Sequence, residues 1–203
     1  MDHFAEKDIL STFEIIVDTR EQDTPRAKER YNAFGVPYTR GTLSYGDYAG
    51  NITLPGGGKY YDTSVTVSAR CVVERKMNLD ELAGCFTRGR DRFQREFERA
   101  ADHSCRVFLL CENGSIEKIM RHEYRSRFNP DAFLASIIAW NIRYDMQLIF
   151  CTQLTTGRMI REILYRDIKE RIEQGEFDGQ FGNSNYLPDV VGELGKTGRR
   201  KTE

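Results

Sequence analysis

The chain has 203 residues and a formal net charge of −1, and 39% of its residues are hydrophobic and 11% aromatic. This length fits one α/β domain, and the composition excludes a disordered chain. The near-neutral charge excludes a global basic field, so any contact with nucleic acid must come from local patches.

We expect neither a membrane span nor a secretion signal in this sequence. No apolar run approaches the roughly 20 residues that span a bilayer, and the first residues contain acids and no hydrophobic signal segment. The five cysteines form no CxxC pair, and three histidines share no ligand spacing. We therefore expect reduced thiols in a cytoplasmic protein, nucleoid-associated or, in a eukaryote, nuclear, with no membrane contact.

The first part of the chain is predicted to be rich in strands. FEIIVD at 13–18 is a β-rich apolar run. Thr24 followed by Pro25 predicts the start of a helix. The runs at 36–43 and from Tyr48 onward predict two more strands, which we expect to pair as a hairpin.

The later segments alternate between strands and helices. In chain order they are a strand at 70–76, a helix from Asn78, a helix over about 88–101, a strand at 105–112, a short helix near 115–122, a helix from Pro130, a strand at 147–152 and a helix at 155–173. This order predicts an α/β fold with a mixed central β-sheet flanked by helices. We expect an extension at 1–12, one domain at 13–174 and a flexible tail at 175–203.

The last two helices have apolar faces. The helix from Pro130 is predicted to direct one face to the core, made of Phe133, Leu134, Ile137, Ile138, Asn141 and Tyr144. The helix at 155–173 is amphipathic, and its apolar face would pack either into its own core or against a partner.

Charged residues collect where the predicted strands end. Asp18 and Glu21 follow the first strand, Asp47 lies in a GDY turn, and Glu74 and Lys76 close the VVERK strand. In an extended strand, residues 74 and 76 point to one face about 6.6 Å apart. Converging carboxylates there would bind Mg²⁺ or Mn²⁺. The lysine would orient or deprotonate a water, or stabilise charge on a phosphate. Taken singly, such charges are most often only solvated.

The order VDTRE, GDY, VVERKMNLD resembles the XPF-type (xeroderma pigmentosum group F) nuclease domain of the restriction-endonuclease-like superfamily. Members carry a GDY or GDF turn and then V-ERK-x-x-x-D, which correspond here to 46–48 and 73–80. TRGRDRFQREFERA and VFLLCENG also resemble family segments, so the resemblance covers roughly 13–172. It implies a restriction-endonuclease-like fold and a metal-dependent DNA endonuclease.

The resemblance also implies the roles of individual residues. Glu21, Asp47 and Glu74 would be metal ligands, the Arg75 carbonyl a further ligand, and Lys76 the catalytic lysine. The further residues implied near the site are Asp18, Arg20 and Asp80 as supports and Arg90 as a phosphate contact. Whether Asp18 or Glu21 binds the metal directly stays open.

A helix rich in arginine follows the ERK strand. Its arginines recur at steps of 4, 3 and 4, which places them on one stripe: Arg88, Arg92, Arg95 and Arg99. Phe93 and Phe97 form a neighbouring apolar stripe. We expect an exposed arginine edge that binds DNA phosphates, with acids of the same helix as the alternative partners. A second basic patch lies at 121–127.

The sequence thus predicts an endonuclease that cuts branched DNA, such as flaps, forks or junctions, in repair or recombination. One alternative is another restriction-like nuclease, and a second is a non-catalytic DNA-binding or scaffold subunit of the same fold. By the same resemblance, we expect a homodimer or a related subunit held through the C-terminal helices. We expect the family's usual helix-hairpin-helix domain to be missing, because the tail is short and rich in glycine.

Overall fold

The structure is a computed structural model that describes residues 3–177. The strands are β1 (Glu14–Asp18), β2 (Tyr38–Gly41), β3 (Tyr48–Asn51), β4 (Cys71–Lys76), β5 (Arg106–Glu112) and β6 (Gln147–Cys151). The helices are α1 (His3–Ser11), α2 (Pro25–Asn32), α3 (Leu79–Phe86), α4 (Arg90–Asp102), α5 (Ile116–Met120), α6 (Pro130–Tyr144) and α7 (Gln153–Glu173). They confirm the predicted α/β fold with a mixed sheet flanked by helices.

The six strands form one sheet in the order β2-β1-β3-β4-β5-β6. β1 pairs in parallel with β2 and antiparallel with β3, while β4, β5 and β6 run parallel to one another. The predicted hairpin of β2 and β3 was therefore wrong. β1 is buried along its whole length, and it takes both strands as partners, one on each side.

Helices cover both faces of the sheet, so successive strand residues alternate between two hydrophobic clusters. One cluster lies under α3, α4 and α6 and contains Val72, Phe93 and Trp140. The other lies under α1, α2 and α7 and contains Val73 and Tyr48. We call these the α3/α4 face and the α2/α7 face. The same alternation places the charged ends of the strands on opposite faces.

The apolar stripe of α6 differs from the predicted one. Phe133, Ile137 and Trp140 are buried, whereas Ile138 is 49% exposed. Residues at steps of four and three continue one stripe, and Trp140 continues the stripe of Phe133 and Ile137. Ile138 lies about 100° further round the helix and faces outward.

α7 packs its own apolar face into the domain. The cluster on the α2/α7 face contains Ile160, Leu164, Ile168 and Ile172. Of the two alternatives for this apolar face, its own core or a partner, the structure therefore shows its own core. Gly157 permits close approach to α2, because a Cβ there would lie 2.4 Å from the Arg30 carbonyl oxygen. Among residues 3–177, no helix is long and apolar enough to cross a membrane.

Both ends of the described chain pack on the domain. α1 occupies most of the predicted extension at 1–12, and its Ile9 and Leu10 are buried. Of the predicted tail, Glu176 pairs with Arg171 and Phe177 is buried. The rest of that segment lies outside the described residues.

Candidate active site

The GDY turn brings Asp47 against the end of β4. The Asp47 amide donates to the Val73 carbonyl at 2.9 Å, and the Arg75 amide donates to the Asp47 carboxylate at 2.8 Å. Gly46 has a φ of +72°, and a Cβ there would lie 2.7 Å from the Val72 Cβ. Only glycine fits this turn without a shift, so Gly46 sets the approach of Asp47 to β4.

Glu74 and Lys76 share the α3/α4 face, as their spacing predicted. The Lys76 ammonium donates to the Glu74 carboxylate, and it lies 5.2 Å from the centre of the Phe93 ring. Both side chains are almost fully buried. The sheet and the helix behind it thus fix a carboxylate and an ammonium side by side.

Burial and the charges of neighbouring groups set the pKa values of Asp47, Glu74 and Lys76. Burial, and then the charge of nearby Glu74, raise the pKa of Asp47 well above its ordinary value. Burial also raises the pKa of Glu74, although Lys76 opposes the shift. For Lys76, burial lowers the pKa but the charges of Glu74, Cys85 and Asp47 outweigh it, so the pKa is raised. Two crowded carboxyls therefore share one ammonium.

Glu21 reaches the same place from the other face. Its carboxylate accepts from the Tyr48 hydroxyl at 2.9 Å and from the Arg30 guanidinium at 3.4 Å. Glu21, Asp47 and Lys76 all line one cleft of about 340 Å³, which we call the cleft. They enter it from opposite faces of the sheet.

Asp47 and Glu74 are the side chains on the α3/α4 face that could hold a divalent cation. Within residues 3–177, no group of three or more His, Cys, Asp or Glu side chains is already arranged around a metal position. The Glu21 carboxylate now contacts Tyr48, Arg30 and, at 3.5 Å, the Nε of Arg75, so it is held apart from the other two carboxylates by cationic and hydroxyl partners.

The hydrogen bonds of the Asp18 carboxylate hold the turn after β1 in place. It is 1% exposed, and it accepts from the Arg20 amide at 2.7 Å and from the Leu43 amide at 2.8 Å. The Arg20 side chain also donates to it, at 2.7 Å from Nε. Arg20 lines the cleft, so Asp18 acts on the cleft through Arg20.

Asp80 faces a loop and not the two carboxyls. Its carboxylate accepts from the amides of Arg125 and Ser126, both at 2.7 Å. Asp80 therefore fixes the backbone of the loop between α5 and α6.

A buried cluster around Glu112 was missed by sequence reasoning. Glu112 ends β5 with no exposed surface and pairs with Arg26, with Arg75 at 3.5 Å and with Arg30 at 4.0 Å. Thr156 donates to it at 2.9 Å. The only local signals were an acid at the end of an apolar strand and two arginines one helical turn apart. We call Glu112 with Arg26, Arg30 and Arg75 the arginine cluster.

The arginine edge of α4 is exposed and its phenylalanines are buried, as predicted. None of Arg88, Arg92, Arg95 and Arg99 forms an ion pair with a residue in the described part of the chain. Two acids of the helix have other partners, since Glu96 accepts from the Gly46 amide and Glu98 from Gln94. Arg90, at the start of α4, is also exposed. The edge is thus open to an external anion.

The chain resembles known proteins in sequence and in fold. Residues 17–162 match the family model described as the ERCC4 domain. The solved structure of XPF from Aeropyrum pernix aligns with a TM-score of 0.54 and 21% identity over 83% of this chain and 71% of that one. XPF from Aeropyrum pernix in complex with DNA aligns with a TM-score of 0.54 and 23% identity over 78% and 66%. A search of curated proteins gave no match. The structural likeness confirms the restriction-endonuclease-like fold.

Proposed function

The chain belongs to the ERCC4 domain family, and from this premise we propose that it is a DNA endonuclease that hydrolyses phosphodiester bonds with Mg²⁺ or Mn²⁺. Family membership supports the coarser part, a nuclease that acts on DNA. The observation that carries the finer part is the crowding of Asp47 and Glu74 beside Lys76 at the cleft.

The donor chemistry fits a hard divalent cation. Carboxylate oxygens are the ligands that Mg²⁺ and Mn²⁺ prefer, and the raised pKa values of Asp47 and Glu74 mark a place where a cation would relieve repulsion. Glu21 and the Arg75 carbonyl are the further donors in our proposal. When bound, the ion would neutralise charge on the phosphate oxygens.

The chain's own groups have separate tasks in this proposal. The Arg75 amide holds one Asp47 oxygen, which orients the carboxylate. With Glu74 as a ligand of the cation, the Lys76 ammonium would be released from its present ion pair and would stabilise charge on the phosphate. The raised pKa of Lys76 favours this charged form over a general base. Asp18 and Asp80 contribute as positioning residues, through Arg20 and through the α5–α6 loop.

Exposed arginines provide the DNA contacts of this proposal. Guanidinium groups bind phosphates bidentately, and Arg20, Arg88 and Arg92 lie at or beside the cleft. The remaining residues that we assign to DNA binding are Arg90, Arg95 and Arg99. The similar solved structure in complex with DNA supports DNA as the ligand of these arginines, and the individual residues are our proposal. We propose branched DNA as the substrate, in repair or recombination.

We also propose that the chain dimerises, with itself or with a related subunit. Because the buried face of α7 is used by its own core, the contact must use outward residues of the C-terminal helices. Ile138 and Ile142 on α6 are 49% and 81% exposed, and Leu154 on α7 is 89% exposed. Sedimentation as a strict monomer at micromolar concentration would refute this arrangement.

A cleavage panel tests the proposed activity. The purified chain is incubated with labelled flap, fork, four-way junction and linear duplex DNA, with Mg²⁺, with Mn²⁺ and with EDTA. We expect metal-dependent cutting of branched DNA. Lys76→Ala should lower the rate by about 10²–10³-fold because a charge-stabilising group is lost. Lys59→Ala, an exposed lysine that pairs with Glu14, is the control and should cut normally.

The scaffold alternative gives a different result in the same panel. If no substrate is cut with either metal, and Asp47→Ala binds DNA as the unaltered chain does, the protein is a non-catalytic subunit. Full activity of Lys76→Ala would refute the role of the lysine even if the chain is a nuclease.

A further inference from the structure

A groove continues from the cleft across α3. A cavity of about 580 Å³ shares Lys76 and Glu81 with the cleft. A third cavity, of about 770 Å³, shares Asp80, Gly84 and Arg88 with the second. The second and third cavities together form one continuous depression, which we call the arginine groove.

Arginines stand on both walls of the arginine groove. Arg88 comes from the α3–α4 connection and Arg92 from the first turn of α4, whereas Arg125 and Arg127 come from the loop before α6. Arg88, Arg92 and Arg127 form no ion pair with any residue between 3 and 177. A groove with unpaired guanidinium groups on both sides suits a chain of phosphates.

Both acidic side chains of the arginine groove already have partners within the protein. Asp80 pairs with Arg125 at 3.3 Å, and the Glu81 carboxylate accepts from the Met77 amide at 2.7 Å. The walls therefore keep an excess of positive charge over the negative charge. This excess lies next to Lys76, on the α3/α4 face.

A glycine lies on the floor of the arginine groove, and no side chain fills the space above it. Gly84 lines both cavities, and a Cβ at this position would meet nothing within 4 Å. Steric contacts do not require glycine at this position of α3, because a side chain there would project into empty space. A larger residue there would fill the groove without disturbing the protein.

Asp80 holds one wall in place. Its carboxylate accepts from two consecutive loop amides, those of Arg125 and Ser126, both at 2.7 Å. These bonds fix the backbone from which Arg125 and Arg127 project. Without them, the loop would lose its anchor to α3.

We propose that one DNA strand runs from the cleft through the arginine groove, and that Asp80 is a positioning residue that holds the Arg125–Arg127 wall against this strand. The inference rests on the proposed function, because it assigns a path to the DNA of that site. It also gives Asp80 a task outside the metal-binding group.

The first test measures binding of the full chain to a fluorescent fork with a single-stranded arm, in EDTA and over a range of salt concentrations. Each phosphate contact contributes about 0.7–0.9 to the slope of log K against log salt. Arg127→Gln and Arg88→Gln should each lower the slope by one such contact and weaken binding. Arg121→Gln is the matched control, since Arg121 is exposed, pairs with Glu123 and lies outside the cavity linings; it should bind as the unaltered chain does.

The second test uses the sign of the effect at Asp80. Removal of an acid from a DNA-binding surface should by itself tighten binding. The positioning role predicts the reverse, so Asp80→Ala should weaken binding several-fold in the absence of metal. Glu81→Gln, in the same groove but not bonded to the loop, should bind equally well or more tightly. Circular dichroism and thermal melting check that each variant is folded.

A third variant blocks the floor. Gly84→Gln should weaken binding of the fork while its melting temperature does not fall, because the added side chain occupies empty space on a helix. If the unaltered chain cuts DNA but the fork binds with unaltered affinity to Arg127→Gln, Asp80→Ala and Gly84→Gln, the proposed path through the arginine groove is wrong. The proposed nuclease activity would then still hold. An unaltered chain that neither binds nor cuts any DNA would overturn both.

Discussion

The two faces of the sheet surround their acids in opposite ways. On the α3/α4 face, Asp47 and Glu74 crowd together with Lys76 as the shared ammonium, and burial raises the pKa of both carboxyls. On the α2/α7 face, Glu112 is buried just as deeply but three arginines and a threonine surround it. The acids on the two faces are therefore similarly buried but differ in their cationic partners. Asp47 and Glu74 share one ammonium, whereas Glu112 alone has three guanidinium groups.

This difference separates a functional site from a structural support. A buried carboxylate that is fully paired stabilises the fold only as long as its partners remain. A crowded pair of carboxylates opposes folding until a cation arrives, and such perturbed groups collect at functional sites. Neutralising an acid should consequently have opposite effects on the two faces.

The largest effect is expected for Glu112→Ala. It leaves Arg26, Arg30 and Arg75 without their common acid, and removal of one partner from a buried ion pair typically costs about 3–5 kcal/mol. We expect a loss of about 3 kcal/mol, at the lower end, because Arg26 is partly exposed and can rehydrate. Urea unfolding followed by circular dichroism measures it.

Glu123→Ala is the matched control for this loss. Glu123 pairs with Arg121 at 3.8 Å, and both side chains are exposed. Such surface pairs contribute about 0–1 kcal/mol, so this variant should unfold almost like the original chain. Equal losses for Glu112→Ala and Glu123→Ala would contradict the structural role of the arginine cluster.

A smaller effect is expected for Gly157→Ala, which acts on the same face through the backbone. The new Cβ would lie 2.4 Å from the Arg30 carbonyl oxygen and 2.8 Å from the Ala33 Cβ. α7 must then move away from α2, which should cost about 1–3 kcal/mol. Because α2 carries Arg26 and Arg30, cleavage should also slow.

Gly84→Ala provides the contrast on the opposite face. Its added methyl group meets empty space inside α3, and alanine is favoured over glycine in a helix by about 0.8–1.0 kcal/mol. This variant should therefore be more stable than the original chain. A stable Gly157→Ala variant would show that α7 does not approach α2 as described.

The elements of the fold were predictable where the signals are local. Thr24 and Asn78 cap α2 and α3 through their side chains, and Pro130 starts α6, as their residue types indicated. The strand at 70–76 was clear because its β-branched residues are consecutive. The pairing of β2 with β1 was not predictable, because it depends on α2 crossing between them.

Sequence also predicted the charged residues on one face of the sheet better than those on the other. Glu74 and Lys76 were found because two residues of one strand necessarily share a face. The arginine cluster was missed because Arg26 and Glu112 are 86 positions apart and meet only after the sheet forms. Trp140 was missed for a related reason, since apolar residues follow two stripes of α6 and the sequence does not decide between them.

The effect expected for Asp47→Asn in metal-free protein is as small as that of Gly84→Ala and has the opposite sign to that of Glu112→Ala. The folded-state pKa of Asp47 is raised above its ordinary value of 3.8, so its favourable contribution is present at low pH and is lost as the pH rises through the raised pKa. Asparagine can still accept the Arg75 amide but carries no charge. At pH 7.5 in EDTA we expect a gain of about 1 kcal/mol, or roughly 2–4 °C in melting temperature.

The pH and metal dependence of this gain distinguish it from a general stabilising effect. Near pH 3, below the ordinary pKa of 3.8, the carboxyl is largely protonated in both the folded and the unfolded state, so Asp47→Asn and the original chain should melt at almost the same temperature. Mg²⁺ at neutral pH should raise the melting temperature of the original chain, since a ligand that binds only the folded state stabilises it, and should leave the variant almost unchanged. If Asp47→Asn melts below the original chain at pH 7.5 in EDTA, the carboxyls on the α3/α4 face are not short of a cation, and the contrast between the two faces is lost.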